Sequence, residues 1–273
     1  MKIYETLPKP ITNEGKPDVE TIRSEFLIDN IDRAFEAWHE SPLLKDLSFE
    51  DFKEFILPYR TNEEWVPYNR SSLKKIFHNQ ITKGGMHNIT KPIEWYKTYI
   101  EKCRWINYYI SSKEHTGLFD LFLPAFKMDC ENISTWTCNY FRSIGIPVVY
   151  EYSPQWPDKN RRHFWCVSPD SNQILQPFSP PDNNLGEDWK ESLKFIGKVY
   201  RKTYGVYHNS PYFIKEENEY VPEELDVPTI KDETFRYHQT VILRMRFNET
   251  TNNNLAYLCF FNTNGINPVA SFV

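Results

Sequence analysis

Apolar residues recur at helical spacing up to Gly145 and then alternate, and this change of period constrains the fold more than any other feature of the chain. In TIRSEFLIDNIDRAFEAWHE, the residues Ile22, Phe26, Ile31, Phe35 and Trp38 lie on one stripe, which predicts a helix facing a core. SFEDFKEFILPYR opens on Ser48 with Asp51 three residues on, a loose capping box, and Pro58 is expected to end that helix. PIEWYKTYIEKCRWINYYI repeats the period with Trp95, Tyr99, Cys103 and Ile106. A further helix is expected from Cys130, with Asp129 as its cap, Ile133, Trp136, Tyr140, Phe141 and Ile144 as its apolar face, and Gly145 as its stop. IPVVYEY then begins the strands. Helices first and strands later predict an α+β fold with a helical N-terminal half and an antiparallel sheet.

The same reading divides the chain. Residues 1–20 are Pro-rich and polar and read as an arm or leader, and residues 21–214 read as the main domain. Residues 215–234, KEENEYVPEELDVPTIKDET, combine acid with proline and read as a solvated linker. Residues 235–273 contain QTVILRMRF and LAYLCFFN, two expected strands separated by NETTNNN. Two strands cannot bury a core alone, so this segment is expected to begin a second β domain or to pack back on the first.

A chain of 273 residues with 40% hydrophobic and 25% charged residues is long enough to bury a sizeable core, and disorder is not expected. The net charge of -5, with Lys and Arg dispersed, leaves no basic stripe for nucleic acid. No apolar run is long enough to span a membrane, so the chain as it stands reads as soluble; export or surface attachment would call for a signal ahead of it. The five cysteines are odd in number and form no CxxC pair, so neither a zinc site nor a disulfide framework is expected, and no cofactor motif is present.

Thiol chemistry needs a thiolate near neutral pH, and a helix N-terminus favours one through its unpaired N–H groups and the helix dipole. Cys130 occupies such a position, whereas Cys103, Cys138 and Cys166 read as small buried hydrophobes. In RRHFWCV, alternation places His163, Trp165 and Val167 on one face of a strand and Phe164, Cys166 and Ser168 on the other. A His there serves either as a base or as a hydrogen-bonded core residue.

Cys130 at a helix start, GIP at 145–147 and HFW at 163–165 come in an order that resembles the transglutaminase-like branch of the papain-type cysteine protease fold. EFLIDNIDRAFEAW, FEDFKEFILPYRTNEEW and FIGKVYRKTYGVY further resemble a group of bacterial transglutaminase-like proteins of uncertain activity in which β-sandwich-like segments follow the core. The resemblance covers residues 20 to 230. It implies a peptidase, amidase or transglutaminase-like activity in which Cys130 attacks an amide carbonyl, His163 moves the proton, and an acid or amide on the next strand orients the imidazole.

Three residues are weighed for that orienting role. Asp170 is the nearest acid after His163, but it lies in the turn-forming SPDSN, and about seven extended residues would hold it roughly 23 Å from His163. An antiparallel hairpin of 163–168 with 173–178 would place Phe178 opposite His163, so Ser179 stands at the expected position with only a neutral hydroxyl to offer. Asp182 is the remaining acid, reached through the Pro180-Pro181 bend. For the oxyanion, the backbone N–H of Cys130 is joined by Gln155 and Trp156 in SPQWP. Hydrolysis of a peptide or Gln-type amide is expected over cross-linking, since nothing identifies a site for an amine acceptor. The alternatives are a catalytically weak module that binds peptide or glycan in an aromatic cleft at Trp156 and Trp165, and a structural domain of a longer surface protein.

Overall fold

A computed structural model of the chain describes residues 17–62, 64, 70–71, 73–74, 89–98, 130–155, 162–170, 172–179, 186, 197–241, 244, 246, 248, 252–262 and 265–272. Helices precede strands, as the change of period predicts. The helices are α1 (Asp18–Thr21), α2 (Ser24–Glu40), α3 (Phe49–Phe55) and α4 (Cys130–Ser143), with α5 (Pro211–Ile214) later in the chain. Residues 90–98 are also helical, while Cys103 and Ile106 of the expected stripe lie outside the described residues. Strands β1 (Val149–Ser153), β2 (His163–Pro169), β3 (Leu175–Phe178), β4 (Tyr200–Lys202) and β5 (Ile230–Asp232) form an antiparallel sheet in the order β3-β2-β1-β4-β5. The fold is therefore α+β. Two compact units are distinguished: a first of Lys9–Tyr150 and Phe164–Trp189, and a second of Met1–Pro8, Glu151–His163 and Lys190–Val273.

In the first unit, α4 is the central element. Every residue from Ile133 to Ser143 is buried, polar ones included. A buried helix end needs partners for its last carbonyls. Gly145, at φ +78°, supplies them by reversing the chain: its N–H donates to Arg142 O at 3.2 Å, and the N–H of Ile146 donates to Phe141 O at 2.9 Å. These two bonds are the Schellman pattern. The Arg142 guanidinium caps the following segment, with Nε and Nη2 donating to Val148 O at 3.1 and 3.0 Å. Arg70 closes the arrangement by donating to Arg142 O at 2.6 Å, Ile56 O at 2.6 Å and Asn30 Oδ1 at 3.1 Å. Burial pulls the Arg70 pKa down to about 9, the Arg142 charge adds to the shift, and Asp29 opposes it.

Helix α2 packs on α4, but not through the stripe expected from sequence. Its buried residues are Asn30, Ala34 and Ala37, while Ile31 is 45% exposed. The reason is the close approach at Gly145, where an added Cβ would lie 3.3 Å from Ala37 Cβ and 3.4 Å from Ser41 Cβ. Only small residues fit that contact, and Ser41 Oγ donates to Gly145 O at 3.2 Å. Phe35 and Trp38 turn instead to α3, their rings 4.9 and 4.5 Å from that of Phe52. The capping box of α3 forms: Ser48 Oγ accepts from the Asp51 N–H at 3.0 Å and donates to Asp51 Oδ2 at 2.6 Å. Residues 17–20, expected within the arm, are anchored. Asp18 is buried and accepts from Arg60 Nη2 at 2.6 Å and Tyr59 Oη at 2.9 Å.

The β2–β3 hairpin corrects the expected register. Phe178 pairs with Cys166, not His163, and Pro169 pairs with Leu175. The shift arises because the turn is longer than a tight one. Asp170 Oδ1 accepts from the N–H groups of Asn172 at 2.8 Å and Ile174 at 3.0 Å, and Gln173 takes φ +61°, so the turn is centred past Asp170.

The second unit overturns the linker reading of residues 215–234. Val221, Leu225 and Ile230 are buried with Tyr200 and Leu255, and β5 pairs with β4 through Arg201 and Lys231. The acids have specific partners: Asp226 accepts from Lys215 at 2.6 Å, and Glu219 accepts from the N–H groups of Asn254 and Leu255 at 3.0 and 2.7 Å. Strand β6 (Ala256–Asn262) forms within the expected LAYLCFFN, but its partner is β7 (Gly265–Phe272). The chain turns back between Asn262 and Gly265, a sequence-local pairing that needs no long closure. The described residues of the other expected strand, 239–241, 244 and 246, are not in a strand. Among the described residues, no helix is long and apolar enough to cross a membrane.

Gly145→Ala forces a side chain into the left-handed region and against Ala37. It is expected to cost about 2 kcal/mol of stability, read as a lower urea midpoint with an unchanged slope.

Candidate functional site

Cys130 is the first residue of α4 and is partly exposed, while the helix beyond Asn132 is buried. Cys138 and Cys166 are completely buried at 0% exposure, and Cys259 in β6 is partly exposed. The sequence places Cys130 at a helix N-terminus, where the helix dipole favours a thiolate. Its expected cap, Asp129, lies outside the described residues.

A loop that the sequence reading did not connect to Cys130 is clamped along the same helix. The Glu64 carboxylate accepts from the N–H groups of Thr61 and Asn62, each at 2.7 Å, which closes the loop on itself. Glu64 Oε1 also accepts from Asn139 Nδ2 at 2.7 Å, and Thr61 Oγ1 donates to Asn139 Oδ1 at 2.8 Å. Nearer the start of α4, Asn62 Nδ2 donates to Glu131 Oε1 at 2.8 Å and Tyr150 Oη reaches the same oxygen at 3.4 Å. Glu131 therefore sits beside Cys130 as a fixed, hydrogen-bonded carboxylate. Its charge opposes a thiolate one residue away while the helix N-terminus favours it. The turn-forming TNEE at 61–64 is the signal that was present in the sequence, but nothing local shows that it meets α4.

The remaining expected residues distribute as follows. His163 is the half-buried first residue of β2 and belongs to the second unit, whereas Cys130 belongs to the first. Gln155, also in the second unit, is half-buried, and its carbonyl accepts from Ser153 Oγ at 3.2 Å. Ser179 is buried just beyond the end of β3. Trp165 has 0% exposure, because both faces of β2 from Phe164 to Ser168 are covered, and it therefore presents no ring face to a ligand. Trp156 and Asp182 lie outside the described residues. Asp170 uses both carboxylate oxygens within its own hairpin, Oδ2 accepting from Gln176 Nε2 at 3.1 Å. Slight burial works against its charge, but the bonds from Ile174, Asn172 and Gln176 outweigh this and hold the carboxyl below its ordinary range.

In the second unit, charged groups cluster around Glu151 and Glu233. Glu151, fully buried on β1, accepts from Arg201 Nη2 at 2.6 Å and Nε at 3.0 Å, and from Arg236 and Tyr237. Glu233 adds an ion pair to Arg201 at 3.2 Å and one to Lys231 at 2.9 Å. Burial works against the Arg201 charge, yet Glu151 and Glu233 outweigh it and raise the pKa. Among the described residues, no group of three or more His, Cys, Asp and Glu side chains is placed to hold a metal ion.

Comparison of the chain with family models, with curated proteins and with solved structures finds no match.

Two outcomes are expected. Glu131→Gln removes the charge beside Cys130 and is expected to raise its alkylation rate by iodoacetamide at pH 7 about threefold, measured by mass spectrometry of the Cys130 peptide. The stabilisation that Asp170 gives its hairpin is present above the ordinary aspartate range and is lost as pH falls through its lowered pKa. A stability difference between the native chain and Asp170→Asn, read from urea midpoints, is therefore expected at pH 7 and is expected to shrink toward zero in acid.

Proposed function

We propose that this chain performs thiol-dependent acyl chemistry on a peptide or Gln-type amide, with Cys130 as nucleophile and His163 as general acid and base. The observation that carries this reading is the position of Cys130, a partly exposed thiol at the first residue of a 14-residue helix whose remaining turns are buried. Further support comes from the resemblance of the Cys130, GIP and HFW order to transglutaminase-like proteins of the papain-type fold, and from a chain that combines a Cys-bearing helix with an antiparallel sheet. In the reaction, Cys130 Sγ bonds to the carbonyl carbon, the amine leaves with a proton from the imidazole, and water releases the acyl group. Hydrolysis is the expected outcome.

One observation favours slow turnover. The first acid after His163 in sequence, Asp170, is held by its own turn, and Ser179 offers only a neutral hydroxyl to orient an imidazole. This is also the basis for the second reading, a catalytically weak module that binds peptide or glycan on the same scaffold. With Trp165 enclosed, the aromatic cleft of that reading would rest on Trp156.

Selective alkylation separates the two. Cys130 is expected to react with iodoacetamide at neutral pH faster than the other cysteines, with Cys130→Ala removing the label and His163→Ala slowing it. Ammonia or amine release from peptide amides is expected to be slow, since loss of a charged orienting group lowered the rate by about 10⁴ in a serine protease. Labelling of Cys130 no faster than of a free small thiol, with His163→Ala unchanged, sinks the enzyme reading and leaves the binding module.

A further inference from the structure

Cys138 and Cys166 take no part in the chemistry proposed for Cys130. Cys138 lies in the middle of α4 and Cys166 in the middle of β2, both within the first unit, and their sulfur atoms are 4.0 Å apart. Neither side chain is exposed. Cys166 Sγ also donates to Ser134 O at 3.4 Å, so its sulfur faces the helix. Phe141, one turn further along α4, stacks on Phe178 of the strand paired with β2, with ring centroids 5.9 Å apart, so the helix and the hairpin are held together on either side of the two sulfurs. The spacing of 28 residues matches no cysteine motif; the pair exists only because α4 lies on β2.

We propose that Cys138 and Cys166 form a disulfide when the chain folds under oxidising conditions, a cross-link between α4 and β2. The sulfurs must close from 4.0 Å to about 2.05 Å, roughly 1 Å of movement for each side chain. The electron acceptor is a small disulfide such as oxidised glutathione. The thiolate of one cysteine attacks it, expels one small thiol and forms a mixed disulfide; the other cysteine then attacks the protein sulfur of that bond and expels the second small thiol. Two hydrogens leave the cysteine pair and appear on the two small thiols.

Burial sets when this exchange takes place. Enclosure, and next the contact with Cys138, push the Cys166 thiol well above its ordinary range, so little thiolate forms once the unit has closed. The bond therefore closes while the chain is folding. Once closed, the same enclosure keeps reductant from both sulfurs, so native protein resists reduction until it unfolds.

The test refolds the full chain from urea in a buffer of reduced and oxidised glutathione, then digests it without reduction. A peptide joining Cys138 to Cys166 is expected, about 2 Da lighter than its two thiol components. Its reduction by dithiothreitol is expected to be at least about tenfold slower in native buffer than in urea. Cys138→Ala and Cys166→Ala each remove the linked peptide, and alkylation of Cys130 persists, which keeps this result separate from the reading of Cys130 as a nucleophile. Recovery of both cysteines as free thiols from the oxidising refold overturns the proposal, as does a linkage through Cys103, Cys130 or Cys259. If either variant fails to fold, the mapping of the native chain decides by itself.

Discussion

The first unit depends on how the C-terminal end of α4 is satisfied. A helix end buried on all sides leaves carbonyls that water cannot reach, and each left unpaired costs about 1–3 kcal/mol. Here the N–H groups of Gly145 and Ile146 take two of those carbonyls, and the guanidinium of Arg70 reaches one of the same pair from outside the helix. The rest of the packing follows from that end. Gly145 has to lie close against α2, which demands Ala37 and Ser41 there, and this turns the larger residues of α2 toward α3. Arg70 ties in α2 through Asn30 and the end of α3 through Ile56. Buried guanidinium groups are tolerated because carbonyls surround them in a fixed fork geometry.

Burying most of α4 also separates its cysteines by chemistry. The thiol at the first residue remains in reach of solvent, while Cys138 two turns on is enclosed. One helix thus carries a partly exposed thiol at its start and an enclosed one in its middle. Thr61, Asn62 and Glu64 rest on the same helix through Asn139 and Glu131, so the carboxylate of Glu131 is positioned by residues remote in sequence.

The second unit holds its strands by charge as well as by apolar contact. Glu151 on β1 gathers Arg201, Arg236 and Tyr237, and its neighbour in space, Glu233, pairs with Arg201 and Lys231. A fully buried carboxylate is stable only with such partners. The acidic stretch 215–234 is likewise tied down at particular points: Asp232 and Glu233 pair with Lys198 and Arg201, Asp226 pairs with Lys215, and Val221, Leu225 and Ile230 enter the core.

Where a feature rests on near neighbours in the chain, the sequence by itself determined it. The Ser48 cap, the Gly145 stop, the start of α4 at Cys130, the strands at Val149, His163 and Ala256, and the α+β class all follow from local hydrogen bonding, backbone freedom and the period of apolar residues. Tertiary structure alone decided which face of α2 is buried, because that depends on the space left by Gly145; the hairpin register is local, set by the Asp170 carboxylate within its own turn, but the alternation of apolar residues does not record the length of that turn. It also decided which side chains meet across long separations: Asn62 with Glu131, Glu151 with Arg201, Cys138 with Cys166. Those pairings depend on how elements stack, and nothing in the local pattern of a sequence records a distance between segments that only packing brings together.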